Sequence, residues 1–178
     1  MIIVEGCDNT GKTELINQLR KEFPMLVYVK SCGPQPGWAQ WIWQELFLNL
    51  DARNRIYDRF FFSEFVYGPI LRDSIEHPYP SLMPASVLAT LHVIQPLVIL
   101  CERYPGDVVG TFGARKQMEG VEERVTQIQE GYEKIVVPVL LDNDISYFSY
   151  DFMTPLAFPQ ARGLVGEELR KGWKPREH

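Results

Sequence analysis

The string Gly6-Cys7-Asp8-Asn9-Thr10-Gly11-Lys12-Thr13 fits G-x-x-x-x-G-K-[ST] at every fixed position, and no other feature restricts the fold so tightly. Its chemistry needs a strand-to-helix turn. Glycines let the backbone curl until successive N–H groups point inward, and the following helix turns its positive end toward the same point. Both flanks supply what the turn requires. Residues 1–4 are an apolar run that reads as a buried strand. A helical pattern follows over 12–22, with Leu15, Ile16 and Leu19 on its inner face. The ligand such a loop takes is a nucleoside triphosphate, here expected to be ATP with Mg²⁺. Backbone groups from Gly6 to Thr13 would cradle its phosphates, Lys12 would place a charge at the β and γ phosphates, and Thr13 would offer its hydroxyl to Mg²⁺. The bland alternative is an ordinary glycine turn, and the strand and helix around the motif argue against it.

The rest of the chain alternates short apolar runs with helical patterns. Strands are predicted at 25–29, 55–58, 97–100 and 146–150. Helices are predicted at 38–50, 63–74 and 83–94, with Pro84 near the start of the last, and over 121–141 with an interruption at Pro138. This alternation predicts an α/β fold, a parallel sheet with helices on both faces, in one domain over residues 1–178. The stretch 104–120 is polar, carries glycine, and is expected to be a mobile lid-like segment. From about residue 151 a tail rich in proline, glycine and basic residues receives no assignment.

Composition narrows the partners. Net charge is −5, with 46% hydrophobic and 23% charged residues, so a folded protein is expected and a strongly basic nucleic-acid binder is not. Cys7, Cys32 and Cys101 form no C-x-x-C pair, and Cys7 lies inside the phosphate loop. That pattern points to a reducing cytoplasm and no zinc. The N-terminal run lacks a basic leader and enters the glycine turn after four residues, so it reads as a strand and not as a signal peptide. No apolar run is long enough to span a bilayer, and no membrane partner is expected.

Two further clusters carry chemistry. Asp58 and Arg59 follow the 55–58 strand, at the edge of the sheet where ligands sit in such folds. An aspartate there can hold a sugar hydroxyl, accept a proton, or help organise Mg²⁺ through water, and the arginine can grip a phosphate bidentately. A salt bridge closing the strand is the structural alternative. Arg115 and Lys116, with Arg103 and Arg124 nearby, form a basic cluster whose cations could close over a transferred phosphoryl group. Arg115, within the irregular segment ahead of the long helix, is the preferred lid residue. A solvated basic loop is the alternative for all four.

The string Val4-Glu5-Gly6 through Lys12-Thr13, with aspartate two places after the first glycine, resembles the thymidylate kinase group of P-loop nucleotide kinases. Asp58-Arg59-Phe60 with Ser63 downstream extends the resemblance, and so does the order of motifs over about residues 1–140. The run from Asp58 to Pro69 is similar to divergent, mostly phage-encoded members. A related phage group phosphorylates the hydroxymethyl of 5-hydroxymethyluracil in DNA. The resemblance implies a three-layer sandwich of nucleotide kinase type, ATP and Mg²⁺ as donor pair, the host cytoplasm if phage-encoded, and a homodimer as one oligomeric state. It assigns Asp8 to the acceptor's sugar and Arg59 to its phosphate. Departures fall on the acceptor side. Lys30-Ser31-Cys32-Gly33-Pro34 stands where thymidylate kinases show Arg-Glu-Pro, and the glutamate base of deoxynucleoside kinases is absent there too.

Three readings of function therefore stand: transfer from ATP to a small deoxypyrimidine nucleotide resembling dTMP, transfer to a modified base in DNA, or a P-loop switch without transfer. A monophosphate is already a nucleophile, whereas a hydroxyl acceptor needs a carboxylate base, and Asp8 and Asp58 both qualify. Trp38, Trp41 and Trp43 can stack on bases but at helical spacing read more readily as core. Phe60, Phe61 and Phe62 are expected to divide between core and a base-stacking wall. Arg162, Arg170, Lys171, Lys174 and Arg176 could touch phosphate backbone, although Glu167, Glu168 and Glu177 dilute that patch. His77 and His92 receive no catalytic task. The switch is disfavoured because Cys101-Glu102-Arg103, and not an aspartate, follows the 97–100 run.

Overall fold

The computed structural model describes residues 1–31, 54–72, 85–109 and 120–171. Trp38, Trp41, Trp43, His77, Arg115, Lys116, Lys174, Arg176 and Glu177, and the helix predicted over 38–50, lie outside those residues.

Two strands have no exposed position. All five residues of β1, Ile2–Gly6, and all five of β4, Leu97–Cys101, are buried. Strands apolar on both sides must be covered on both sides, and that forces a layered α/β arrangement. β1 pairs in parallel with β3, Arg55–Asp58, on one side and with β4 on the other. β2, Val27–Lys30, and β5, Tyr147–Tyr150, close the sheet in the order β2-β3-β1-β4-β5. Register then decides what meets at the carboxyl edge. Val4 lies beside Asp58 and Gly6 beside Cys101, so the turns after β1, β3 and β4 open side by side.

Alternation along β1 divides the core. Ile2 and Val4 pack with Leu15, Ile16 and Leu19 of α1, Lys12–Glu22, and with Ala157, Ala161 and Val165 from the far end of the chain. Ile3 faces the opposite layer, where Phe60, Phe61 and Phe62 meet Val125 and Ile128. The expected division of the three phenylalanines does not occur. Each is at most 2% exposed, in a chain of ring contacts that begins at Tyr57 and ends at Phe65. Such stacked burial leaves no ring for an open wall.

Among the described residues, helices follow the predicted order with four differences. The 63–74 pattern becomes α2, Phe62–Tyr67, and then widens into a π turn, Gly68–Arg72. α3 is Ala85–Ile94. Residues 105–109, expected within the irregular lid, form the short helix α4, Pro105–Val109, with Val108 buried beneath it. The 121–141 pattern runs through a 3₁₀ turn, Glu122–Arg124, then α5, Val125–Gly131, a π turn, Tyr132–Val136, and α6, Val137–Asp142. Pro138 has no N–H for the carbonyl four residues back, and the wider π turn lets the chain continue where a break was expected. The unassigned tail contains α7, Ala157–Arg170. Its Pro159 sits in the first turn, where an N–H has no intrahelical partner to lose. Among the described residues no helix is long and apolar enough to cross a membrane.

Two helical glycines predict opposite responses to the same change. A Cβ on Gly131 would lie 2.7 Å from Cγ1 of buried Val66, whereas one on Gly163 meets nothing within 4 Å. Gly131→Ala should cost about 1–3 kcal/mol through overpacking, less whatever the helix gains. Gly163→Ala should add about 0.5–1 kcal/mol. Urea midpoints should move in opposite directions. Equal shifts of one sign would contradict this packing of α5 on α2.

Candidate active site

The loop after β1 has the backbone its sequence demands. Gly6, Asn9 and Gly11 have φ of 131°, 60° and 87°. At Gly6 a Cβ would stand 2.2 Å from the Cys101 carbonyl oxygen, so the close approach of β4 forbids any side chain there. Thr10 Oγ1 donates to the Cys7 carbonyl at 2.8 Å and braces the turn. Lys12 opens α1 with its side chain buried, and Nζ donates to the carbonyls of Gly6, at 3.0 Å, and Cys7. Burial, reinforced by the positive charge of Arg59, lowers this lysine to about 8. Thr13 stands exposed on the first turn of α1. These residues fit a magnesium polyphosphate: a curled backbone before a helix N-terminus, one lysine, and one exposed hydroxyl beside it.

Asp58 and Arg59 are adjacent but do not act as a pair. Asp58 falls on the same sheet face as Ile56, and its Oδ2 accepts a hydrogen bond from Tyr28 at 3.1 Å. Burial and the Asp58 charge push the Tyr28 phenol up to about 12. Arg59 adopts φ 68°, donates its N–H to the Val4 carbonyl, and so turns its side chain toward the other layer. There Nη2 reaches Asp8 Oδ1 at 2.5 Å and Tyr67 OH at 2.9 Å. Nη1 reaches Ser63 Oγ at 3.2 Å and Tyr132 OH at 3.3 Å, and the guanidinium lies 4.5 Å from the Tyr67 ring centroid. Arg59 therefore forms its ion pair with Asp8 of the phosphate loop, while Asp58 is held by Tyr28. Asp8 also donates its backbone N–H to Tyr67 OH at 3.2 Å.

Glu5, just ahead of the loop, has no role assigned by the sequence, and the structure gives it a prominent place. It has no exposed surface. Its Oε1 accepts from the Phe60 N–H at 2.7 Å, and Oε2 from Ser63 at 2.5 Å and Tyr132 at 3.1 Å. Burial pushes its carboxyl up from the usual range, against the hydrogen bond from Ser63 and the nearby Arg59 charge. An acid among the apolar residues of a fully buried strand was the signal available in sequence. Tyr67 and Tyr132 gave none, because each continues a helical pattern.

The other basic residues scatter. Arg103 lies 4.7 Å over the Phe152 ring, and its Nε is buried with no hydrogen-bond partner among the described residues. Phe152 in turn packs on the loop, since a Cβ on Gly11 would touch its ring at 3.0 Å. Arg124 is committed elsewhere, donating to the Ile70 carbonyl. Arg162 of α7 pairs with Glu22 of α1 at 3.5 Å, and Lys171, just beyond α7, with Glu168 at 3.2 Å. His92 is exposed at the end of α3.

No family model matches the chain, and no curated protein does. Among solved structures it is similar to the YorR protein from Bacillus subtilis, determined in complex with phosphorylated GDP. That likeness has a TM-score of 0.69 at 19% identity and covers 97% of this chain and 98% of that one. It is also similar to deoxyadenosine kinase from M. mycoides with bound dCTP, with a TM-score of 0.54 at 15% identity over 96% of this chain and 100% of the other. The same kinase with bound dATP gives a TM-score of 0.54 at 15% identity, over 95% and 98% of the two chains. At such identities the likeness concerns architecture, and the architecture is that of the α/β nucleotide kinases, a five-stranded parallel sheet between helices.

Proposed function

We propose that this chain is a phosphotransferase that moves the γ-phosphoryl group of ATP to a deoxypyrimidine monophosphate acceptor. One observation carries the reading: the ion pair between Asp8 and Arg59, at 2.5 Å, sets an acceptor-side cation against the phosphate loop itself. An acceptor phosphate oxygen attacks the γ-phosphorus, the bond to the β–γ bridging oxygen breaks, and ADP leaves. No base is required for such a nucleophile, so alignment and positive charge carry the catalysis. Lys12 answers the charge on the β and γ phosphates, and Arg59 orients the acceptor. Arg115 is proposed to close over the transferred group. The Thr13 hydroxyl, with Asp58 acting through water, would hold Mg²⁺, which would neutralise the phosphate oxygens. Phe152 and Arg103 offer a stacked platform beside Gly11 for the donor's purine.

A specific observation favours a second reading, transfer to a hydroxyl such as the hydroxymethyl of 5-hydroxymethyluracil in DNA. Both terminal nitrogens of Arg59 are already engaged, and Asp8 balances its charge before any acceptor arrives. An uncharged acceptor has no need to displace Asp8, and Asp8 or Asp58 then serves as base.

Labelled γ-phosphate from ATP, offered to deoxynucleoside monophosphates, nucleosides, and DNA with or without 5-hydroxymethyluracil, separates the readings. Label in dTMP is the expected result. Label only in modified DNA would establish the second reading, and slow ATP loss without transfer would mean a nucleotide switch. Lys12→Ala should reduce transfer by at least about 10²-fold, the scale of losing one preorganised charge, without unfolding the protein.

Lys12 also predicts a proton linkage. Its ammonium sits near 8 in the free protein, and phosphates placed beside it raise that value, so binding takes up a proton in alkaline solution. Affinity for a non-hydrolysable triphosphate should hold steady below neutral pH and fall as pH rises through 8. Calorimetry in buffers of differing ionisation enthalpy should show proton uptake growing from about pH 7 to 9. Uptake of zero across that range would place the phosphates away from Lys12.

A further inference from the structure

We infer that Glu5 is a positioning residue that holds Arg59 in place for the acceptor through the hydroxyls of Ser63 and Tyr132. The inference rests on the proposed reading of Arg59 as the acceptor-side cation. Its geometry is independent of that reading.

An arginine can only donate hydrogen bonds and an ionised carboxylate can only accept them. Arg59 Nη1 donates to the oxygens of Ser63 and Tyr132, and each of those hydroxyls donates its own proton to Glu5 Oε2. With Glu5 ionised, the hydrogen bonds run from the cation through the hydroxyls to the anion. Two hydroxyls, 2.9 Å apart, bridge a carboxylate on β1 to a guanidinium leaving β3. The third contact of Glu5, from the Phe60 N–H, pins the backbone one residue after Arg59. Arg59 leaves the sheet in a left-handed conformation that a side chain rarely adopts unforced, so its direction depends on partners on both sides of it. Glu5 fixes the Nη1 end, and Asp8 and Tyr67 meet the Nη2 end. Of the two acids, only Asp8 is open to exchange for an incoming anion: its side chain is 23% exposed, while Glu5 is 0% exposed. Glu5 keeps the guanidinium aimed while Asp8 can release it.

The same logic selects the variant. Glu5→Gln keeps the size and the acceptor for the Phe60 N–H. Its amide N–H₂, however, faces two hydroxyls that already receive a proton from Arg59. One of their own hydrogens can then turn only to the neighbouring hydroxyl, the other has no acceptor, and the relay's link to an anion is lost. Arg59 side-chain nitrogen resonances read this without any assay of activity. In the wild-type protein the Nη groups should be resolved in slow rotation, and in Glu5→Gln they should average. Unchanged resonances would overturn the inference. In turnover, the acceptor KM should rise at least tenfold in Glu5→Gln while the Kd for a non-hydrolysable triphosphate stays within threefold. In an Arg59→Lys background the further effect of Glu5→Gln should be less than twofold. Equal losses on donor and acceptor, or full additivity, would show a general structural role and sink the inference. If Glu5→Gln does not fold, Tyr132→Phe keeps the ring and removes one link; faster averaging at Arg59 supports the relay and unchanged resonances refute it. If the wild-type protein phosphorylates no acceptor, the proposed function falls, and the Arg59 resonances still decide whether Glu5 holds the arginine.

Discussion

A carboxylate with no exposed surface sits at the centre of this molecule, and its compensation ties fold to site. An uncompensated charge at Glu5 would cost several kcal/mol. The four groups that answer it come from different parts of the chain: the Phe60 N–H, the Ser63 and Tyr132 hydroxyls, and beyond them Arg59. Satisfying Glu5 therefore brings together β1, the turn after β3, α2 and the π turn that begins at Tyr132. The same groups complete the surroundings of Arg59, so the cation proposed to meet the acceptor is built into the core's own polar centre.

The phosphate loop obeys a different constraint, that of space. Gly6 touches the Cys101 carbonyl where any Cβ would clash, and Gly11 backs onto Phe152. Register between β1 and β4 enforces the first contact, and the turn after β5 supplies the second. Lys12 meanwhile rests on the loop's own carbonyls, so its charge is partly met before any ligand arrives, while burial and the Arg59 charge lower its proton affinity. Asp8 is the joint between the two halves, its backbone in the loop and its carboxylate on Arg59.

What was legible in sequence followed patterns with short range. The 55–58 strand and the helix from Lys12 to Glu22 have the bounds expected of them, because the glycine turn, the helical pattern and the charged strand end that mark them are local. α7 escaped because Pro159, Gly163 and Gly166 argue against a helix, while burial of Ala157, Ala161 and Val165 against α1 and β1 overrides propensity. The π turn at Tyr132 escaped because Pro138 predicts a break, whereas the wider turn lets the chain continue past it. Asp8 and Arg59 were each marked, but their union depends on a left-handed residue that sequence does not announce. Glu5 was hidden for the opposite reason: a buried acid is explained by partners 55, 58 and 127 residues away.

The most direct measurement is a crystal structure with a bisubstrate analogue, adenosine and thymidine joined through a polyphosphate. A donor loop and acceptor cation in one site require the adenosine-side phosphates to lie within Gly6 to Thr13. Lys12 Nζ should leave the carbonyls of Gly6 and Cys7 for phosphate oxygens, and the thymidine-side phosphate should meet Arg59 in place of Asp8. A polyphosphate bound elsewhere, or an Arg59 still paired to Asp8 with the thymidine end unattached, would contradict the proposed kinase site.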